Sequence, residues 1–428
     1  MSATTIDSVV GRRIWDSRGR PTVEAEVRLR GGATGRAIAP AGASTGLGEA
    51  VERRDGGAAL GGYDVAVAVG AIGREISGAL AGLDALEQGT VDRCLIALDG
   101  TPDKSRLGAN AIVAVSMANA HAAAAATGIP LWRYLLVDQK PRLPLPQIQI
   151  FGGGAHAGGR VDIQDFMVAA VGAEDFVQAL DWTAEVYLAA GAIMSDRGLL
   201  RGVADEGGYW PAFESNEEGL QLLVAAIERA GLIPGEEMAI SLDIAASQLG
   251  AGGRYRLGLD RRELDSDELI AMLLDWIARY PIVAVEDPVA EGDARGFRRL
   301  VEAVGDRIAV VGDDLLVTSA DRVREAAAAK QCNALLMKPN QAGTLSEAKE
   351  ALEVARNAGW ATIASARSGE SEDVTIVHIA VGWRAEMLKV GSFARSERLA
   401  KWNEGIRIAE ALGGRGELPA RRDFPWGR

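Results

Sequence analysis

Along the first forty residues apolar and polar positions alternate. Val23, Ala25, Val27 and Leu29 share one face and Gly31-Gly32 breaks the run, which predicts strands joined by a glycine turn. From about residue 51 to residue 128 the pattern becomes helical, and residues 110–127 are so rich in alanine that closely packed helices are expected. A sheet followed by helices predicts an N-terminal α+β domain, residues 1–138. The proline-rich segment 140–146 reads as a linker, because each proline removes a backbone donor and biases its predecessor towards extended backbone. In the second domain, residues 139–428, short apolar runs at 238–242, 282–285, 308–311, 334–337, 361–364 and 386–388 alternate with amphipathic stretches. Ser215 and Asp265 each precede a glutamate by three residues, the spacing of a capping box that opens a helix. Each apolar run has the length of a buried parallel strand. With no glycine-rich dinucleotide or phosphate loop to mark an open sheet, the alternation predicts an α/β fold closed into a (β/α)8 barrel.

The polar residues at the ends of these runs carry the chemistry. Asp243, Glu286 and Asp313 come after three successive runs, Lys338 and Lys389 after two later ones, and Ser365 to Ser368 after the run between those lysines. In an α/β barrel the C-terminal strand ends meet at one mouth, so these residues become neighbours. A lone aspartate there is usually a helix N-cap. Three carboxylates with two lysines, in a chain with seven lysines against 39 arginines, are better explained by a cation site. Hard oxygen ligands that leave room for water and substrate suit Mg²⁺. A lysine beside such a cation, out of water, is expected to lose proton affinity and so to serve as a general base. The expected reaction is metal-assisted proton abstraction next to a carboxylate.

Composition narrows the field. The 428 residues are 48% hydrophobic and 25% charged, which excludes disordered and fibrous classes. A net charge of −13 without a long basic run argues against nucleic acid or an anionic membrane as partner. No uninterrupted apolar run approaches the ~18 residues of a membrane span and no apolar leader is visible, so a cytoplasmic location is expected. Cys94 and Cys332 lie too far apart for a thiol metal site and read as apolar thiols.

The motifs, in order, resemble those of the enolase family. They are Ile14-Trp-Asp-Ser-Arg-Gly-Arg-Pro-Thr-Val-Glu24, Gly42-Ala-Ser-Thr-Gly46, Leu98-Asp-Gly-Thr101, Lys104-Ser-Arg-Leu-Gly-Ala-Asn-Ala111, Asp205-Glu-Gly-Gly208, Ser241-Leu-Asp-Ile-Ala-Ala-Ser247, Val285-Glu-Asp-Pro288, Val311-Gly-Asp-Asp314, Leu336-Met-Lys-Pro-Asn-Gln341, Arg367-Ser-Gly-Glu-Ser-Glu-Asp373 and Arg395-Ser-Glu-Arg398. The resemblance implies an enolase-type barrel with an N-terminal α+β domain. It implies two Mg²⁺ per active site, one held by Asp243, Glu286 and Asp313 and a second assisted by Ser44 of a lid loop. It further implies Lys338 as the base, Lys389 on the substrate carboxylate, Arg367 and Ser368 on the phosphate, and Glu206 with Asp165 at the departing hydroxyl. Gln164 and His156 would complete substrate binding, and a homodimer or dimer-based assembly is expected.

The chain departs from that pattern on one side of the site. Asp165 stands where the family has glutamate and Ala366 where it has histidine, while Gly152, Ala155 and Leu47-Gly48 also replace usual residues. Three readings are open. One is a Mg²⁺-dependent lyase that forms a phosphoenolpyruvate-type enol ester from 2-phosphoglycerate or a bulkier phospho- or phosphono-analogue. Another is a carboxyphosphonoenolpyruvate synthase of phosphinothricin-type antibiotic biosynthesis, with Arg160 as a candidate contact for the extra carboxylate. The third is an inactive homologue with a binding role, which need not bind Mg²⁺.

Overall fold

The computed structural model describes residues 2–43, 45–137 and 139–427. Strands β1 (Ile6–Trp15), β2 (Pro21–Leu29) and β3 (Thr34–Ile38) form an antiparallel sheet in which Val9 pairs with Val27 and Ala25 with Ala37. The apolar positions of β2 are buried against helix Ala109–Thr127. Gly35 of β3 shows how closely the sheet meets this helix: a Cβ there would lie 2.0 Å from the Ala122 nitrogen and 2.3 Å from the Ala118 oxygen. By length and mean composition this helix could cross a membrane, although Asn110, Ser116, Asn119 and His121 interrupt it, so it is not the uninterrupted apolar run of a span. Here 83% of it is buried inside the protein, so its apolar character serves the core.

The helical expectation for residues 51–128 fails at its start. Regular helix begins only at Ala66, because Gly56, Gly57, Gly61 and Gly62 all take positive φ and hold the preceding chain in turns.

Eight strands close the barrel: β4 (Leu145–Gly152), β5 (Asp165–Ala169), β6 (Ala239–Asp243), β10 (Ile282–Glu286), β11 (Ala309–Gly312), β12 (Ala334–Met337), β13 (Ala361–Ser365) and β14 (Met387–Lys389), with β14 pairing back on β4. Between β6 and β10, β7 (Gly250–Ala251), β8 (Arg254–Leu257) and β9 (Arg262–Asp265) form a small separate sheet. The last six barrel strands match the apolar runs in the sequence. The first two do not. β5 runs antiparallel to both neighbours, so strand–helix alternation starts only after it. The presumed linker is corrected as well, since Leu145 and Pro146 belong to β4. The N–H groups of Leu145 and Gln149 face the β14 side, donating to Glu386 and Gly391. Residue 146 faces the other way, where the pairing with β5 has ended at Gln147, so a proline forfeits no ladder bond.

One end of the barrel is filled by Leu145, Ala169, Ala284, Ala309, Val311, Ala334, Leu336, Ala361, Ile363 and Met387, with Phe424 from the C-terminal segment against them. Apolar packing thus occupies the axis and leaves the C-terminal strand ends for polar groups. Both expected caps form: Ser215 accepts from the Glu218 N–H, and Asp265 makes a complete capping box with Glu268.

Gly35→Ala is expected to destabilise the N-terminal domain by ~1–3 kcal/mol through overpacking, read as a lowered midpoint in chemical denaturation.

Candidate active site

Asp243, Glu286 and Lys389 end β6, β10 and β14, Asp313 directly follows β11, and Lys338 directly follows β12. The strand register therefore brings all five to one mouth, and each is buried. Gln164 and Asp165 reach the same mouth by the opposite route. Because β5 is antiparallel, its first residue lies beside the last residue of β6, and Asp165 pairs with Asp243. A single cavity is lined by His156, Gln164, Asp165, Glu206, Asp243, Lys338, Ala366, Arg367, Ser368 and Lys389 among others. Ser44 lies outside the described residues; its neighbour Ala43 lines the cavity.

The charges interlock. Lys389 Nζ lies 2.9 Å from Asp243, 2.8 Å from Glu286 and 3.3 Å from Asp165. Lys338 Nζ lies 2.5 Å from Asp313 Oδ2, while Gln341 Nε2 donates to the other oxygen at 2.8 Å. Gln164 Nε2 donates to Asp243 Oδ2 at 3.0 Å and is itself held by Gln248. Burial alone would lower the proton affinity of both lysines, but Asp313 at Lys338, and Asp243 and Glu286 at Lys389, outweigh it and raise both. Both directions come from the carboxylates alone, whereas the expectation of a lowered affinity is for a lysine beside a cation.

Glu286 is pushed well upward by burial and by Asp243. Its Oε1 is buried without a hydrogen-bond partner among the described residues, although Oε2 meets Lys389. A buried, oxygen-rich cluster with an orphaned carboxylate oxygen suits a hard divalent cation. Asp287, Asp313 and Asp314 also lie close enough together to share an ion. Asp287, however, accepts the backbone N–H groups of Asp313 (3.0 Å) and Asp314 (2.8 Å), which sets the turn that presents Asp313. Burial and neighbouring carboxylates raise Asp287 and take Asp314 to about 7.

On the opposite side His156 Nδ1 lies 3.1 Å from Asp165 and Nε2 lies 3.7 Å from Glu206. Burial would lower the imidazole's affinity, but Glu206 and Asp165 prevail and take it to about 9. These three groups could also collect a metal. A protonated imidazole between two carboxylates is also an arrangement that can pass a proton.

Sequence reasoning missed Glu49. It pairs with Arg367 at 2.9 Å, accepts the Gly46 N–H at 2.9 Å and reaches Gln341 at 3.2 Å, tying the loop before it to both the arginine and the Asp313 network. Its one visible signal was its place just after the Gly42–Gly46 motif. Not every departure opens the pocket. At Gly152 a Cβ would meet Ala204 at 2.7 Å and Gln149 at 3.1 Å, so that volume is already filled. Arg160 is exposed and does not line the cavity. Ala366 does, and it also lines a second cavity with Ile38, Met117, Ile376 and Ile379.

The family model described as the enolase C-terminal TIM barrel domain matches residues 140–423, and that of the enolase N-terminal domain matches residues 6–135. The chain belongs to the enolase family. It is 46% identical to Enolase 1 of Desulfitobacterium hafniense (strain Y51) over 427 residues, covering 99% of this chain and 98% of the relative.

His156 is expected to titrate near pH 9 in the metal-free protein, followed by NMR of its ring, and Asp165→Asn should lower that midpoint. A folded value raised above the ordinary ~6.5 means that the associated stability is fully present below pH 6.5 and is lost as pH rises through 9. A midpoint at or below ~6.5 would remove the charged triad.

Proposed function

We propose that the chain is a Mg²⁺-dependent lyase that takes the α-proton from 2-phosphoglycerate, or from a bulkier phospho- or phosphono-analogue, and expels the β-hydroxyl to leave a phosphoenolpyruvate-type enol ester. The observation that carries this reading is the division of one cavity into a lysine on carboxylates and an acid relay facing it. Lys338 is the base. The C–H electron pair becomes the new C=C bond, the C–O bond breaks, and the hydroxyl leaves as water with a proton from the Glu206–His156–Asp165 group. Lys389 faces the substrate carboxylate, Gln164 orients Asp243, and Arg367 and Ser368 face the phosphate.

Asp243, Glu286 and Asp313 would hold one Mg²⁺, and Ser44 is assigned to a second that enters with substrate. Bound there, a cation would neutralise the carboxylates that face the lysine ammonium groups and would supply charge stabilisation to the deprotonated substrate. Enclosure matters equally, since the dry site strengthens each electrostatic contact.

Ala366 supports a second reading. Its methyl group lines two cavities and fills less of the space between them than the histidine that the family resemblance implies there. The carboxyphosphonoenolpyruvate synthase reading needs that room, but Glu370 and Asp373 also line the second cavity and are less suited to an added carboxylate than to a neutral group.

The test is phosphoenolpyruvate formation from 2-phosphoglycerate with excess Mg²⁺. Turnover of ~10 s⁻¹, lost on chelation, is the expected result for 2-phosphoglycerate as the natural substrate. Lys338→Ala should then lower kcat by ~10²–10⁴-fold while the folded state remains. A chain that binds Mg²⁺ but turns over only after Asp165→Glu/Ala366→His would favour the larger substrate. A chain that neither binds Mg²⁺ nor turns over would sink the lyase reading.

A further inference from the structure

The motif around Arg18 has no part in the chemistry above, yet its side chain reaches the phosphate side of the site. Asp16 shapes the turn between β1 and β2: its Oδ1 accepts the N–H groups of Arg18 and Arg20, both at 2.8 Å, and Gly19 supplies the positive φ of 69°. The turn sends the Arg18 side chain out of the N-terminal sheet into the barrel, where only 7% of it remains exposed. Its guanidinium is then fully engaged. Nη1 donates to Ser368 Oγ at 3.2 Å and to the Gly42 carbonyl at 3.3 Å, Nη2 to the Ala41 carbonyl at 3.0 Å, and Asp16 Oδ2 faces it at 3.4 Å.

The approach is close enough to dictate a neighbour. A Cβ on Gly369 would lie 2.5 Å from both Arg18 Nη2 and Asp16 Oδ2. Gly369 also exchanges backbone hydrogen bonds with Ala41, at 2.8 and 2.9 Å, and the Ser17 N–H donates to the Glu370 carbonyl at 2.7 Å. The segment carrying Ser368 is therefore docked edge-on against the N-terminal domain, with the guanidinium at the centre of the contact.

We infer that Arg18 is a positioning residue for the phosphate-side hydroxyl of Ser368. This rests on the reading that Arg367 and Ser368 face the substrate phosphate. A serine hydroxyl has one proton and two lone pairs. Because a cationic N–H already donates to Ser368 Oγ, one lone pair is occupied and the proton is left for an anion. The same guanidinium holds the Ala41 and Gly42 carbonyls, at the base of the loop whose Ala43 lines the cavity. Arg18 thus joins the orientation of one anion donor to the placement of the loop over it. A lysine retains the charge but lacks the planar fork needed to meet the hydroxyl and both carbonyls together.

The experiment measures KM, kcat and competitive inhibition by inorganic phosphate for the full-length protein and for Arg18→Gln, Arg18→Lys, Ser368→Ala and the Arg18→Gln/Ser368→Ala double variant. Arg18→Gln is expected to raise KM and the phosphate inhibition constant ~10-fold with kcat changed less than ~3-fold, and Arg18→Lys to fall between it and the wild type. In the Ser368→Ala background, the same Arg18→Gln change should add less than ~2-fold, because the group it acts through is gone. An equal loss in both backgrounds overturns the inference, as does an unchanged KM in a wild-type-active protein. Should Arg18→Gln fail to fold, Arg18→Lys in both backgrounds decides by the same comparison. A wild-type chain that forms product yet is not inhibited by phosphate would overturn the positioning role alone, whereas one with neither property would remove the phosphate-site reading and the inference with it.

Discussion

The mouth of the barrel concentrates more negative charge than a dry interior tolerates, and the surrounding structure answers that constraint. Asp243, Glu286 and Asp313 are placed there by the register of three strands, and Asp165 is brought beside Asp243 by a fourth. Unpaired, each buried charge would cost several kcal/mol. Lys389 is therefore shared among three carboxylates and Lys338 is pressed against Asp313. Even so, one oxygen of Glu286 has no hydrogen-bond partner among the described residues. The surplus that raises the proton affinity of both lysines is also the oxygen-rich charge that suits a divalent cation.

A second consequence of that crowding is the separation of functions across the cavity. Lys338 and Asp313 stand with Gln341 and Glu49, while His156 stands with Asp165 and Glu206. Groups held in such different surroundings have their proton affinities set by different partners, Asp313 for Lys338 and Glu206 with Asp165 for His156. The N-terminal domain contributes directly to this arrangement: Glu49 meets Arg367 across the domain contact, and the β1–β2 turn packs on the segment of Ser368. The barrel alone would lack both contacts.

Much of this was legible in the chain. Six barrel strands announced themselves as short apolar runs, and the residues at their ends carried the acids and lysines of the site. The first two strands were hidden for a physical reason. β4 contains a proline at an unpaired position, and β5 is antiparallel, so its functional residues stand at its start, where a rule that looks after each strand does not search. Gln164 and Asp165 could be named only through resemblance to a family. Glu49 and Arg18 gave still less warning, because each acts on a partner more than three hundred positions away.

Element types, the α/β barrel class, the family and most of the chemical groups at the mouth were set by the order of residues, because periodicity, capping and ordered motifs are local properties of a chain. Folding settled which of those groups touch, how buried charge alters each lysine and the histidine, and that Gly152 opens no space while Ala366 borders two cavities. Those outcomes depend on distance and desolvation, which arise only when strands far apart in sequence are brought into register around one axis.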